Sequence, residues 1–511
     1  MSRTPRVVVV GAGHNGLVCA IRLAEAGIDV TVLEHGPRPG GAVASDQATL
    51  PSFVHDHCAG FFPMTVASPA MRRLPLERLG VEWVNPPVVL SHPFLDGGEI
   101  LLERSLEATA LSLEAAAPGA GEGWRRLGAL TLPRFDEVVR AVLSRFPPVV
   151  PALRLAARLR REGLELARQG LASAATLGRE LFGDDRPTAW LAASAMHSDL
   201  DPAVEGSGAF ALFLMLAGHA HGWPFPRRGA GRITDALVAR LDELGGRLRC
   251  EASVERILVR RGRAAGVALA GEGEEVAADA VVSTLTAAPL ARLLPDEALP
   301  GRIMRRLRDW RYGVGAFKLD YALSGPVPWT AAGARAAGVV HLGDTLDRLR
   351  RAAQQAGRGE VPHDPAMIVG QHSLHDRSRA PEGGETLYAY SHVPPDPGLA
   401  DEAIADRMED RIEAFAPGFR ELVLARAVRS PRDLARGNPS LVAGDLGGGT
   451  YALDHQLVFR PAPELVRYRS PLRGLYVAGA SVHPGGAVHG VSGDGAARAL
   501  IADRSRLRFW R

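Results

Sequence analysis

Residues Val7 to Gly41 read VVVVGAGHNGLVCAIRLAEAGIDVTVLEHGPRPGG, and no other stretch of the chain restricts the fold as tightly. Four consecutive β-branched residues, Val7 to Val10, predict a buried parallel strand. Gly11, Gly13 and Gly16 then set G-x-G-x-x-G at the turn into an amphipathic helix. Gly11 permits the tight turn, Gly13 lets backbone approach a pyrophosphate, and Gly16 lets the helix pack closely on the strand while its N-terminus faces the phosphate charge. Roughly twenty residues on, Glu34 ends a second strand, Asp29 to Leu33, where a carboxylate accepts both ribose hydroxyls and disfavours a 2′-phosphate. Strand, glycines, helix, second strand and terminal acid in that order point to a dinucleotide. The sequel Arg38-Pro39-Gly40-Gly41 points to FAD rather than NAD, because a second glycine pair lets backbone come close to the flavin end of a longer cofactor. His14 and Asn15, inside the turn, join the candidate cofactor residues.

With 511 residues, 37 prolines and 46% hydrophobic content, the chain can build two or three well-filled domains. Its 60 basic and 57 acidic residues leave a formal charge of +3, too small a field to argue for nucleic acid as a partner. The three cysteines, Cys19, Cys58 and Cys250, form no C-x-x-C, which argues against a dithiol redox couple and a zinc site. No metal set is expected. The valine run stops at Gly11, short of a signal-peptide core, so a cytoplasmic protein is expected. Ala209 to Ala217 (AFALFLMLA) is too short for a membrane span and reads as a buried helix.

Along the chain the cofactor pattern recurs three times. Residues 1–68 carry the first segment and 69–225 a helical part of a substrate domain, mostly helix from Glu122 to Phe225 with breaks at Pro147 to Pro151 and Asp184 to Pro187. Residues 226–288 return to the cofactor domain, with Arg228-Gly229-Ala230-Gly231 before a helix from Ile233 to Leu244. Strands at Leu248 to Ala252, Arg256 to Arg260, Ala265 to Ala270 and Val276 to Val282 follow, read as a β-meander, with Ala280 to Ser283 returning to the parallel sheet. Val254, at the start of this region, is counted with the cofactor set. Residues 289–440 continue the substrate domain, with alternating strand patterns at Ala316 to Leu323 and Thr386 to His392, and 441–511 close the cofactor domain. The fold class expected is α/β: a discontinuous Rossmann-type FAD-binding domain with an inserted α+β substrate domain.

The segments VVVVGAGHNG, VLEHGPRPGG, ADAVVST and GLYVAGASVHPGGAVHGVSGDGAARA, together with SGAFALFLMLAGHAHGWPFPRRGAGRITDALV and GDLGGGTYALDHQLVFRP, resemble the phytoene desaturase and carotenoid isomerase superfamily of FAD-dependent oxidoreductases. They are more closely similar to its phytoene-dehydrogenase-related branch, the pyridine nucleotide-disulfide oxidoreductase domain 2 proteins. The resemblance implies FAD, and transfer of a hydride to flavin N5 from a bulky, mainly apolar or polyene-like molecule held in an interdomain cleft. It departs in two places. Relatives often carry an acid after the final Ala-Gly, where it bonds a ribityl hydroxyl, whereas Ala480 and Ser481 follow Gly479 here, leaving Ser481 as the substitute. Many also have arginine directly after the glycine pair, whereas this chain has Ala42 and leaves Arg38 for the phosphate.

Ser481 to Gly490 (SVHPGGAVHG) is the second informative stretch. Gly486 and Val488 sit where backbone can lie against a flavin, and the helix that follows aims its positive end at the N1–O2 edge, which favours the reduced, anionic ring. His483 reads best as a loop-shaping residue. His489 is either that or an acid or base facing the ring.

Lys318 is the only lysine, arginine having replaced it everywhere else. A deprotonatable ammonium that orders water near flavin N5, as in distantly related amine oxidases, stands against a solvated strand face. His55 and His57 can share one strand face, but nothing nearby completes a metal set. His219 and His221, beside Trp223 and Phe225, suit an apolar pocket wall. Arg154, Arg158, Arg161, Glu165 and Arg168 recur at helical spacing beside Leu155, Leu159 and Leu166, the pattern either of a solvated face or of peripheral membrane contact.

With one dinucleotide fingerprint, dioxygen or a quinone is the expected electron acceptor. Rival readings are a flavin amine oxidase, a redox-neutral FAD-dependent isomerase, and a non-catalytic relative that binds lipid or protein.

Overall fold

The computed structural model describes residues 5–271 and 273–509, the side chains at 156, 158–161 and 506–509 excepted. The valine strand, Arg6–Val10, is the middle of a five-stranded parallel sheet in the order Leu475–Val477, Ala280–Ser283, Arg6–Val10, Asp29–Leu33, Arg247–Arg249. Val7 to Val10 are all buried, because both sheet faces are covered and a strand so placed needs apolar side chains on both sides. The helices His14–Glu25, Gly231–Glu243 and Val491–Phe509 form one layer of that cover, the first packed against the other two, and the antiparallel strands Val254–Arg260 and Arg263–Leu269 share the same core. Strands from three distant stretches of chain thus share one core. This is a discontinuous Rossmann-type FAD-binding fold.

Two details differ from the sequence reading. Leu248 belongs to Arg247–Arg249, which joins the edge of the parallel sheet, so the antiparallel meander begins only at Val254 and comprises Val254–Arg260, Arg263–Leu269 and Glu275–Ala277. The expected strand Val276 to Val282 is split between the meander and the parallel sheet, Ala278 and Asp279 making the crossing.

The second body is a seven-stranded sheet in the order Val423–Arg429, Gly315–Leu323, Glu385–Val393, Met367–Gly370, Ala337–Leu342, Val88–Pro93, Glu99–Glu103. Every pair is antiparallel except Ala337–Leu342 with Val88–Pro93. Phe317, Leu319 and Tyr321 alternate toward one face, where they pack with Trp329 and the helix Asp401–Phe415. Helices between Leu106 and His221 cover the other side around Trp124, Trp190 and Trp223. The helical run does break here, between Ala174–Phe182 and Asp185–Ala195, and Asp184 caps the second helix, its carboxylate accepting the Arg186 N–H at 2.9 Å. Of the arginine-rich helix Val149–Leu171, Arg168 pairs with Glu165 and Glu180, while the side chains of Arg158, Leu159 and Arg161 lie outside the described residues. Among the described residues, no helix is long and apolar enough to cross a membrane.

Candidate active site

A continuous cavity of about 1960 Å³ starts at the glycine-rich turn and is walled by the parallel sheet's loops, the seven-stranded sheet and the helix Ser207–His221. That exceeds the roughly 1,000 Å³ upper end for a drug-sized ligand. It can house a dinucleotide and a second molecule.

At the nucleotide end Gly11 has φ +98° and its N–H donates to the Leu33 carbonyl at 2.8 Å, so the turn is tied to the neighbouring strand. A Cβ on Gly16 would stand 2.0 Å from the Gly11 carbonyl oxygen, which is why helix and turn can touch only through glycine. A Cβ on Gly13 would meet nothing within 4 Å and would project into the cavity it lines. Gly13 caps the helix His14–Glu25 without a side-chain cap bond, and the first turn holds no acid, so its amides remain for an anion. Among the described residues His14 Nε2 and Asn15 Oδ1 are buried without a hydrogen-bond partner, and both residues line the cavity. Burial pulls the His14 imidazole down to about 4, so the ring is neutral. An open cradle, free helix amides and two unpartnered polar atoms fit the pyrophosphate of FAD.

Glu34 also lines this end. Its carboxylate accepts the Ala12 N–H at 2.7 Å and the Gly36 N–H at 2.9 Å, and each oxygen keeps a lone pair for a ribose hydroxyl. Arg38 stands exposed at the rim, with no ion pair among the described residues, and Val254 is on the facing wall. The glycine pair divides. Gly41 (φ +57°) lines the cavity, whereas Gly40 (φ +119°) is buried behind it, where a Cβ would stand 2.6 Å from the Val43 carbonyl.

At the far end of the cofactor region Gly486 and Val488 line the cavity, but Gly479 and Ser481 do not. Ser481 donates to the Gly448 carbonyl at 2.5 Å and accepts the Ala287 N–H at 3.0 Å, so its hydroxyl ties two loops together. It is therefore not the ribityl partner the sequence reading made it. His489 lines the cavity, yet its ring is held by its own loop: Nδ1 accepts the Val491 N–H at 3.1 Å, and Nε2 faces the Gly485 carbonyl at 3.2 Å. Burial and the neighbouring His14 pull it down to about 3. The network assigns a neutral Nε2–H tautomer that caps the closing helix, which leaves no free lone pair for acid–base work. His483 likewise faces the Ser144 carbonyl at 3.1 Å.

Lys318 is also placed differently from the expectation. It is buried, does not line the cavity, and is ion-paired to Asp320, with its ammonium 5.4 Å from the centre of the Tyr388 ring. Tyr388 forms the cavity wall and Lys318 lies off it. Asp320 is shared with Arg429 (3.4 Å) and His55 (3.6 Å), and Arg429 continues to Asp46, which His57 also contacts at 2.7 Å. His55 and His57 therefore belong to one network, buried at His55 and Asp320 and partly exposed at His57 and Asp46.

On the helix Ser207–His221 the cavity face is Ala209, Phe210, Phe213 and Leu214, while Met215 is core. His219 accepts the Trp124 indole N–H at 2.9 Å, so of the expected wall residues His219, His221, Trp223 and Phe225 only Trp223 lines the cavity. Three features escape the sequence reading. Tyr388 and Tyr390 come to the wall through the sheet, with His197 from a helix end opposite them. Asn438 approaches Gly41 from a distant loop. Buried Arg460 donates to the carbonyls of Gly447 (2.7 Å), Thr450 (3.0 Å) and Ala480 (3.0 Å), clamping the LGGGTY loop onto the one after Gly479. The glycine run Gly447 to Gly449 was the available signal for that clamp.

Comparison with known proteins agrees with this geometry. Residues 16–501 match the family of flavin containing amine oxidoreductases. The chain is 28% identical to pyridine nucleotide-disulfide oxidoreductase domain-containing protein 2 of Mus musculus, over 98% of this chain and 94% of that protein. It is 30% identical to hydroxyneurosporene desaturase of Cereibacter sphaeroides, covering 98% of each. Its fold is similar to that of an oxidoreductase from Methanosarcina mazei, with a TM-score of 0.65 at 18% identity over 97% of this chain and 100% of that one. The chain therefore belongs to the flavin-containing amine oxidoreductase family and is an FAD-dependent oxidoreductase.

Proposed function

We propose that the enzyme dehydrogenates a bulky, mainly apolar, polyene-like molecule. The observation that carries this reading is the wall beyond Gly486, where Phe210, Phe213, Leu214, Trp223 and Val339 make one apolar surface continuous with the cofactor end. The likeness to a hydroxyneurosporene desaturase supports it. FAD, when bound, supplies the acceptor for the two electrons and the hydrogen lost from a substrate carbon. The chain's own part is to hold that cofactor by the Gly13 cradle and Glu34, to fix the loop at Gly486 through Arg460 and His489, and to exclude water with the apolar wall. Dehydrogenation also releases one proton. His489 is neutral and loop-bonded and Lys318 lies off the cavity, so that proton would pass to the reduced cofactor or to water at the cavity mouth rather than to either side chain.

Entry is read from the cavity mouth. Val142, Leu171, Leu453 and Leu457 line the cavity and yet are 44%, 58%, 47% and 58% exposed. Exposed Val149, Val150, Leu153 and Leu164 continue this collar along the helix Val149–Leu171. Apolar side chains around an opening favour peripheral contact with a membrane, on its cytoplasmic side, from which a lipophilic substrate can pass inward. Dioxygen or a quinone is proposed to reoxidise the flavin.

Anaerobic mixing of the holoenzyme with long-chain polyenes, small amines and small alcohols tests the reading. Bleaching of the flavin by polyenes alone is expected. Efficient reduction by small amines, with no spectral response to any polyene, would overturn it and favour an amine oxidase. Stopped-flow oxidation of the reduced enzyme by dioxygen and by a soluble quinone then separates the two acceptors.

A further inference from the structure

The inner end of the cavity is not uniformly apolar. There Leu214, Trp223 and Val339 meet three polar side chains, His197, Tyr388 and Tyr390, and none of the six carries a fixed charge. Tyr388 and Tyr390 lie one strand position apart by face on Glu385–Val393, their rings stacked at 6.4 Å. His197 stands opposite, at the end of the preceding helical layer, edge-on to Trp223 at 5.4 Å.

The hydrogen-bond directions follow from a residue behind the wall. His341, buried to 1% exposure, has Nε2 3.0 Å from His197 Nε2, and among the described residues its Nδ1 has no partner. A proton on His341 Nδ1 would be a buried donor without an acceptor, a worse defect than an unused lone pair. His341 therefore donates through Nε2 to His197, which places the His197 proton on Nδ1, 3.5 Å from the Tyr390 hydroxyl oxygen. With a donor already facing its oxygen, the Tyr390 O–H points its own proton elsewhere. Among the described residues it has no acceptor, and neither does the Tyr388 hydroxyl. The Trp223 indole is unavailable, since it donates to the Leu214 carbonyl at 3.0 Å.

We propose that this cluster is a recognition site for one neutral oxygen, a hydroxyl or a carbonyl, on the substrate, with Tyr390 as the donor and the His341–His197 pair as its support. The inference rests on the apolar-substrate reading above and narrows it to apolar chains bearing one oxygen function. Burial holds His197 near 3 and His341 well below its ordinary value, so both stay neutral. A carboxylate seated here would be buried without a cation, and an ammonium without an anion. The site thus discriminates by charge as well as by hydrogen bonding.

The test uses the holoenzyme and three probes in one detergent: geranylgeraniol, its aldehyde, and the C20 hydrocarbon of the same branched chain lacking oxygen. Binding is read from perturbation of the flavin absorbance. The alcohol and the aldehyde are expected to bind about tenfold more tightly than the hydrocarbon, the upper range for one neutral buried hydrogen bond. Tyr390→Phe should bring that ratio to within about twofold while hydrocarbon affinity and FAD content are unchanged. His197→Asn should lower it in the same direction. Equal binding of the three probes to the unaltered enzyme, or a ratio that survives Tyr390→Phe, overturns the oxygen site and leaves the apolar-substrate reading standing. Failure of all three to perturb the flavin while small amines reduce it overturns both.

Discussion

The Glu34 carboxylate accepts the backbone N–H of Ala12 at 2.7 Å, so the acid at the end of the second strand directly braces the glycine turn that follows the first. One residue therefore shapes the cofactor cradle and offers lone pairs to the ribose. Glu34→Gln keeps the shape but turns one acceptor into a donor that faces a backbone N–H. Loss of a charge-assisted bond of about 1.5–3 kcal/mol predicts FAD binding weakened roughly ten- to a hundredfold. Equilibrium dialysis of the apoenzyme reads this directly, and an unchanged Kd would show that Glu34 has no part in holding the ribose.

Gly13→Val is the complementary change. A Cβ at this position meets no protein atom within 4 Å, so the variant should fold with an unchanged parallel sheet. The branched side chain would stand in the cavity over the helix amides. The expected product is a folded, colourless protein, checked by circular dichroism and by absorbance near the flavin bands. A yellow protein of full FAD content would remove the pyrophosphate from this turn.

What could be read from the chain and what could not divide along a physical line. Gly11, Gly13, Gly16 and Glu34 are local: their spacing dictates strand, turn, helix and strand, and the structure realises that run within residues 6–33. Lys318 shows where local reading stops. Its strand was legible from alternation, but the pairing of Lys318 with Tyr390 and of Asp320 with Tyr388 in register depends on a strand some seventy residues away. The conversion of a lone lysine into an Asp320-bound ion behind Tyr388 is a tertiary fact. Ser481 is similar, since the glycine run around Gly448 marks a close approach but not that its carbonyl claims the Ser481 hydroxyl. His489 was undecidable by type, because a histidine that caps a helix and one that moves protons have the same neighbours in sequence.

The buried network around Asp320 predicts an asymmetry. Asp320 contacts Lys318, Arg429 and His55, whereas among the described residues Lys318 has Asp320 as its one carboxylate partner. Asp320→Asn leaves an ammonium buried without its counter-ion and should destabilise the fold by about 3–5 kcal/mol. Lys318→Met removes the charge along with the need for a partner, so its loss should be clearly smaller. Because Lys318 does not line the cavity, flavin reduction in Lys318→Met should proceed at the rate of the unaltered enzyme. A selectively slowed half-reaction at unchanged thermal midpoint would return the lysine to the chemistry.

The last prediction concerns acid. Burial pulls His14, His92, His219, His392 and His483 down to about 4 and His197, His372 and His489 to about 3, against 6.5 for the free side chain. Each is neutral in the fold, while the unfolded chain takes up a proton near pH 6.5. The unfolded state thus binds more protons below that pH, so these groups favour unfolding as pH falls and contribute no pH dependence well above 7. Each histidine changes stability by about 1.4 kcal/mol per pH unit between its two values. Because the shifts all run the same way, the loss on acidification should be steeper than one histidine gives. The holoenzyme should therefore keep a level thermal midpoint from pH 8 to 7 and lose it progressively below pH 6. Calorimetric unfolding at pH 6 in buffers of different ionisation enthalpy should show uptake of several protons. A midpoint that stays level from pH 7 to 5, or unfolding without proton uptake, would mean that these imidazoles are not held neutral, and the tautomers assigned to His489 and His197 would fall with them.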